Sequence, residues 1–484
     1  MPRPAILRLA PLLLAGASLA ACEVGPNYHR PAAPTPQAPA YKEISGWTPA
    51  KPSDAADRAD WWMVFNDPTL NDLEAQVEVS NQTLAADLAA YQQARAIVAE
   101  DRAQLFPTIT ANGSANFSHS AGGGGTVIGG TVVGGGAGVN QNYTVELGGT
   151  WEPDVWGKVR RTIENGKAGA QADAADLANA KLSAQMTLAA DYISLRQLDE
   201  EKRIDDDTVK AFQASLDVTR NKYQAGVSTE ADVDQAETQL HNEQAADIAL
   251  GEQRAVMENA IAVLVGKSPT DFTLASAAWT LQPVDIPPGV PSTLLQRRPD
   301  VAAAERQAAA ASAGIGVATA GYFPNISLSG TGGSEAAQIG ALFSGSSFFW
   351  NAAGSAAETV FNAGLTHAQV QAAKAQYDQA VANYRQAVLT AFGQVENNLA
   401  AQRVLAAEQP ELRASVTSSS QALKISQNEY AAGTVDYTTV VSAQTAALSA
   451  RNAELQLEAN RLTTAVDLIV ALGGGWNESA LASK

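Results

Sequence analysis

Leu105-Phe106-Pro107-Thr108-Ile109-Thr110 returns 217 residues later as Tyr322-Phe323-Pro324-Asn325-Ile326-Ser327. Tyr223-Gln224-Ala225-Gly226 returns after 207 residues as Tyr430-Ala431-Ala432-Gly433, and Val263-Leu264-Val265-Gly266 as Val470-Ala471-Leu472-Gly473. An internal repeat of this length sets one order of elements for both halves of the chain. The difference in offset falls where the Gly-rich tract 121–138 adds length to the first half. The boundaries that follow are 67–266 for repeat 1, a linker at 267–291 with five prolines, 292–473 for repeat 2 and a tail at 474–484.

Each half reads helix, strand, loop, strand, long helix, turn, helix. Asp67-Pro68 is a start signal: Asp caps the orphan amides and Pro suits the first helical position. Leu70, Val77, Leu84, Tyr91, Val98 and Leu105 then recur every seventh residue. Val301, Ala308, Ile315 and Tyr322 do the same, following Leu294, as do Val441, Leu448, Leu455, Leu462 and Ile469. A seven-residue period implies left-handed supercoiling against neighbours. Many positions beside the stripe are Ala, which predicts close helix packing. Residues 158–225 lack Pro and carry Leu188, Leu195, Val209, Leu216 and Tyr223 in register. At 1.5 Å per residue such a helix is roughly 100 Å long. Its counterpart at 365–432 contains Pro410, where a kink or short break is expected. Two short helices, 70–105 and 229–265, match one long helix in length and could lie end to end beside it.

Residues 1–21 have the pattern of a secretory signal: Arg3 and Arg8, the apolar run Leu9–Leu14, then small residues. The apolar run is too short to span a bilayer. Leu19-Ala20-Ala21-Cys22 looks like the bacterial lipoprotein cleavage box, which makes Cys22 the lipidated amino terminus. Glu23, in place of the Asp that holds such lipoproteins at the inner membrane, implies the outer membrane. Residues 22–66 then read as an extended, lipid-anchored segment rich in Pro. A single Cys excludes an intrachain disulfide and a Cys-based zinc site. Four scattered histidines offer no metal pair. A net charge of −18 argues against nucleic acid as a partner. No cofactor and no catalytic residue is expected.

The strand segments alternate. Ile109, Ala111, Gly113, Ala115 and Phe117 share one face, opposite Thr108, Thr110, Asn112, Ser114, Asn116 and Ser118. Tyr143, Val145, Leu147, Gly149 and Trp151 lie opposite Asn142, Thr144, Glu146 and Thr150. Ile326, Leu328 and Gly330 form the third segment. Phe348, Trp350, Ala352 and Gly354 form the fourth, with Phe349 on the wrong face. Segments of this kind suit a transmembrane β-barrel. A soluble sheet with one buried face alternates in the same way. Joined to the amino-terminal signal, the pattern favours an outer-membrane barrel, and four strands require several chains to close it. Three copies would give twelve strands, a number the residues leave open. The Gly-rich tract 121–138, flanked by strands, reads as a mobile external loop and not as a phosphate loop.

Cys22-Glu-Val-Gly-Pro-Asn-Tyr-His-Arg-Pro31, Trp62 with Phe65-Asn66-Asp67-Pro68, Arg297-Arg298-Pro299-Asp300 with Ala303-Ala304-Glu305, both Tyr-x-x-Gly turns and Ala471-Leu472-Gly473-Gly474-Gly475-Trp476 together resemble the outer membrane factor (TolC/NodT-type) family, and its lipoprotein branch in particular. The resemblance covers nearly the whole mature chain. It implies a mixed α/β membrane protein: a homotrimer with a twelve-stranded outer-membrane barrel, four strands per chain, and a long coiled α-helical barrel in the periplasm. It further implies a passive export duct for small toxic compounds, docked to a periplasmic adaptor and an inner-membrane RND-type pump.

The turns at Tyr223–Gly226 and Tyr430–Gly433 join long helix to short helix, and the resemblance places the gate and adaptor contact there. Glu230, Asp232, Asp234 and Asp436 follow the turns; converging carboxylates could ring a constriction, or could be ordinary acids of a helix's first turn. The family often carries acids at the positions held here by Thr439 and Ser442, which leaves Asp232 and Asp436 the better gate candidates. Asp205-Asp206-Asp207 reads as a solvated helix face, and Trp61-Trp62 as packing for the amino-terminal segment. Two other readings remain: a conduit for type I protein secretion, and a periplasmic coiled-coil scaffold held by lipid alone.

Overall fold

The computed structural model describes residues 23–34, 41–43, 60–120, 126–128, 131–133, 138–284, 286, 297–478 and 481. Residues 1–21, Cys22 and most of the Gly-rich tract lie outside them. In chain order the elements are α1 (Pro68–Ser80), α2 (Gln82–Ala103), β1 (Thr108–Ser120), β2 (Thr126–Ile128), β3 (Thr131–Val133), β4 (Gly138–Trp151), α3 (Lys158–Gln224), α4 (Glu230–Leu264), α5 (Pro299–Ala320), β5 (Asn325–Ala336), β6 (Phe348–Ala357), α6 (Leu365–Ala432) and α7 (Tyr437–Ala471). The order strand, strand, long helix, helix thus occurs twice, after α1 and α2 in the first half and after α5 in the second, the short β2–β3 hairpin apart. The chain divides into two compact units, one of residues 1–31, 93–170 and 306–381, the other of 32–92, 171–305 and 382–484.

The first unit holds a four-stranded antiparallel sheet in the order β1-β4-β5-β6, with β1 and β6 at its edges. β5 runs beyond the predicted segment, through Gly332-Gly333-Ser334 to Ala336. That stretch has little β-propensity, and packing decides its conformation instead. A Cβ on Gly333 would lie 2.8 Å from the Glu146 Cα of the adjacent strand. Arg161, at the start of α3, is buried and gathers in the amino-terminal strap. Its guanidinium donates to the Val24 carbonyl (3.1 Å) and the Asn27 Oδ1 (3.0 Å). The Val24 amide donates to the Trp156 carbonyl at 3.1 Å.

The second unit carries the main core. Leu70, Val77 and Leu84 of the heptad stripe are buried with Leu188, Leu195, Val301 and Leu462. Trp61, Trp62 and Phe65, in a single 3-10 turn, are buried in the same cluster, as the paired Trp residues suggest. Asp67 caps α1, its Oδ1 accepting from the Leu70 amide at 3.0 Å, while Oδ2 accepts from the Tyr192 hydroxyl at 2.8 Å. Arg298 of the Arg-Arg-Pro-Asp segment is buried, pairs with Asp300 (2.6 Å) and donates to the Ala471 carbonyl at the end of α7. A cation there meets the negative end of the helix dipole.

Three expectations are corrected. The first helix is two helices, because Asn81 leaves the helical conformation (φ −67°, ψ 121°) and caps α2. Its Oδ1 accepts from the Thr83 and Leu84 amides, and its Nδ2 donates to the Leu264 carbonyl at 2.8 Å. Asn81→Ala should lower stability by about 1–2 kcal/mol through loss of the cap, read as a drop in the apparent melting temperature. Second, of the kink or short break expected at Pro410, the break does not occur, and α6 runs through the proline as one helix. The carbonyl of Ala406 that Pro410 leaves unbonded belongs to an exposed residue, where water can bond it. Third, Asp205 is not solvated. It is 5% exposed, and burial, then the charges of Glu201 and Asp247, push its carboxyl up to about 6. Glu243, beside it, is raised to about 7 by burial and by Asp205. Asp206 and Asp207 do face water and pair with Lys202 and Lys210.

Candidate functional site: an apolar sheet face and two helix turns

The register of the sheet gathers most of its apolar positions on one face. Ala111 lies opposite Leu147, which lies opposite Gly332, itself opposite Trp350. Ile109, Phe117, Val139, Val145, Trp151, Leu328 and Phe348 fall on the same face by the same pairing. These side chains are exposed: Ile109 by 73%, Leu147 by 61%, Trp350 by 73%. A soluble sheet alternates because one face is buried in a core. Here the apolar face is uncovered. Phe117 and Tyr143 meet edge to face on it at 5.7 Å. The other face is polar, with Asn142 donating to Glu335 (2.8 Å) and the Ser327 and Ser355 hydroxyls 2.8 Å apart. Phe349 sits on that polar face, as its parity requires.

The two turns, in the second unit, share one construction. The Val227 amide donates to the Lys222 carbonyl and the Gly226 amide to that of Tyr223; Thr434 and Gly433 donate likewise to Glu429 and Tyr430. This is the Schellman pattern, and it needs a left-handed residue. Gly226 (φ 75°) and Gly433 (φ 76°) supply it. Across the turn, Thr229 and Asp232 form a capping box that opens α4, and Asp436 caps α7 by accepting from the Thr439 amide at 3.0 Å.

Two of the candidate acids, Asp232 and Asp436, therefore serve as helix caps. Asp232 Oδ2 accepts from the Thr229 amide and from the Ser228 and Thr229 hydroxyls. The Thr229 amide bond, foremost, holds its carboxyl below the usual carboxylate range, opposed by burial and by the nearby charge of Asp436. Asp436 accepts from the Thr438 and Thr439 hydroxyls, which keep its carboxyl low. Thr439 is thus part of the cap. Ser442 donates to the Thr438 carbonyl, and Glu230 and Asp234 lie exposed in the first turns of α4.

The turns' tyrosines differ. Tyr223 is 45% exposed, whereas Tyr430 is buried with Phe212, Leu216, Leu240, Tyr437 and Val440. The Tyr430 hydroxyl lies 3.0 Å from the Thr219 hydroxyl. The Lys222 ammonium donates to the Tyr430 carbonyl and sits 3.8 Å from its ring centroid. Thr219 and Lys222 thus tie the end of α3 to the end of α6. Sequence reasoning missed both, because nothing in the spacing of a lysine on one helix marks a carbonyl on another.

Against known proteins, the outer membrane efflux protein family model matches residues 74–267 and 290–474. The chain belongs to that family. A toluene efflux pump outer membrane protein of Pseudomonas putida, TtgC, is 32% identical over 95% of this chain and 94% of its own length. The antibiotic efflux pump outer membrane protein ArpC of Pseudomonas putida has the same identity and coverage. The outer-membrane channel OprN superposes with a TM-score of 0.84 at 30% identity, over 94% of this chain and all of its own. This outer membrane efflux protein is accordingly an efflux channel component of the outer membrane, helix-rich, with a four-stranded sheet in each chain.

Proposed function

We propose that copies of this chain close their sheets edge to edge into one barrel, most simply three copies and twelve strands, and form a passive export duct. The observation that carries this is the exposed apolar face of an open sheet whose edge strands, β1 and β6, each pair on one side only within the chain's own sheet. Unpaired strand edges in hydrocarbon leave amides unsatisfied, so a lipid-embedded sheet must close. The long helices α3 and α6, 67 and 68 residues, continue the duct inward as a sleeve of roughly 100 Å. The duplicated element order fits a repeat in which each half contributes two strands and one long helix. A periplasmic adaptor and an inner-membrane pump complete the path, and small toxic compounds, of the kind of the toluene and antibiotics named for the relatives, are the cargo. The duct itself performs no chemistry. Lipid on Cys22 anchors the mature terminus, and the Arg161 contacts to Val24 and Asn27 hold the adjoining residues in place.

Purified mature protein is expected to be trimeric in detergent and to form pores in planar lipid films. A monomer without conductance would overturn the reading. Deletion of the gene should sensitise cells to solvents, dyes and antibiotics together.

The two turns serve as the gate, closed by the Lys222–Tyr430–Thr219 contacts. Lys222→Met removes a charge-assisted hydrogen bond and a cation–π contact, together about 1.4 kcal/mol or more per chain, which is about tenfold in the closed-to-open ratio. Single-channel conductance should rise. Asp232→Asn and Asp436→Asn keep a capping side chain and remove the charge. A rise in conductance or cation permeability in these variants assigns the acids to the gate; unchanged conductance leaves them as caps.

A further inference from the structure

Phe106 and Phe323 hold corresponding places in the repeated phrase, each between an aromatic or apolar residue and the proline that precedes a strand. Their surroundings differ. The Phe323 ring stacks on Trp156, with centroids 5.0 Å apart and planes at 25°. The Trp156 Nε1 donates to the Pro324 carbonyl at 2.8 Å. Trp156 lies between the end of β4 and the start of α3. Because β4 and β5 are antiparallel, with Trp151 opposite Leu328, this clasp closes one end of that strand pair. Phe106, by contrast, is 69% exposed. It leads into β1, an edge strand. At the opposite edge, β6 ends and the chain passes Val360 and Phe361, 95% and 86% exposed, before α6 begins.

We propose that Phe106 of one copy packs against Phe361 of the next, so that a clasp built once within the chain by Trp156 and Phe323 is built again between chains. This rests on the reading that copies join edge to edge. If β6 of one copy pairs antiparallel with β1 of the next, the end of β6 comes beside the start of β1, just as the end of β4 lies beside the start of β5. Each strand-to-helix junction then offers an aromatic ring to a Phe-Pro pair. Both junctions reach their long helix through a glycine of positive φ, Gly157 (80°) and Gly364 (85°). Phe361 stands farther from its glycine than Trp156 does and has no N–H, so the intermolecular clasp is ring against ring, without the hydrogen bond to proline. The two rings occur at the ends of the two open edges, and a second copy is the partner that presents both in continuity with the strand pairing.

The test uses full-length protein carrying Phe106→Cys with Phe361→Cys, treated with a short bifunctional methanethiosulfonate. Oligomeric mass is measured by light scattering beforehand, and products are read on non-reducing gels. Phe106→Cys with Phe343→Cys is the control, since Phe343 is 83% exposed in the β5–β6 connection at the other end of the strands. Cys22 is common to every sample. The expected result is a covalently closed oligomer from the first pair, and monomer bands from the control and from each single variant. A native oligomer that does not cross-link through the first pair overturns the clasp and leaves edge closure standing, with the rings turned to lipid. A monomeric mass for the unsubstituted protein overturns edge closure and the clasp with it.

Discussion

Leu147→Arg should keep the protein out of the outer membrane. Leu147 lies inside β4, four residues from its end, flanked by Ala111 and Gly332 on the apolar face. An arginine at the midplane of a lipid-facing strand costs about 2–4 kcal/mol. In a closed trimer the charge appears three times, so the penalty approaches ~6–12 kcal/mol, comparable to the whole stability of many folded domains. The neighbouring polar-face substitution Thr144→Arg faces a water-filled lumen in the proposed barrel and should leave insertion intact. Membrane fractionation after urea washing checks both. Wild-type levels of Leu147→Arg in the outer membrane would mean that this face does not meet lipid. Loss of both variants alike would mean that the sheet does not distinguish its faces.

Glu74→Leu should stabilise the protein at neutral pH. Glu74, on α1, is fully buried, and among the described residues neither of its carboxylate oxygens has a hydrogen-bond partner. Burial raises its pKa from 4.5 to about 9. The folded chain therefore holds a proton that the unfolded chain gives up above 4.5. A folded pKa raised in this way contributes stability that is fully present below 4.5 and is lost as pH climbs toward 9, at about 1.4 kcal/mol per unit. At pH 7 the loss is about 3 kcal/mol. Melting temperatures measured between pH 5 and 8 should fall with pH in the wild type. Glu74→Gln should flatten that slope, and Glu74→Leu should also raise the melting temperature at pH 7. A pH-independent wild type, or a Leu variant that melts earlier, would show that Glu74 is hydrated or paired when folded. No apolar pattern pointed to this residue: Leu70, Leu73 and Val77 around it carry the signal, and a carboxylate between them reads as surface.

Much of the architecture was legible because it rests on local rules. Residues 365–432 are helical over the expected span, without the break expected at Pro410, and α3 ends one residue short of the predicted 225. Neither span holds a helix breaker strong enough to outweigh so many intact turns. The glycines of the two turns adopt the left-handed conformation that glycine readily supplies at a helix end. The strands' alternation located the apolar face, and the register left no large apolar residue of those segments displaced except Phe349. The misses have tertiary causes. Asn81 was hidden because Val77 and Leu84 keep the seven-residue register across it, and its cap is completed by Leu264, far along the chain. The second half of β5 was hidden in glycines that only close strand packing explains.

Within the chain itself, periodicity and punctuation determined the elements, their order and the face each strand keeps apolar, since these depend on residues a few positions apart. What the tertiary structure alone decided was which of those features are covered. The apolar sheet face stays open, Asp205 and Glu74 are enclosed, and Tyr430 is buried while Tyr223 is not. Solvent exposure is a property of everything packed around a residue, and residues from distant segments supply it.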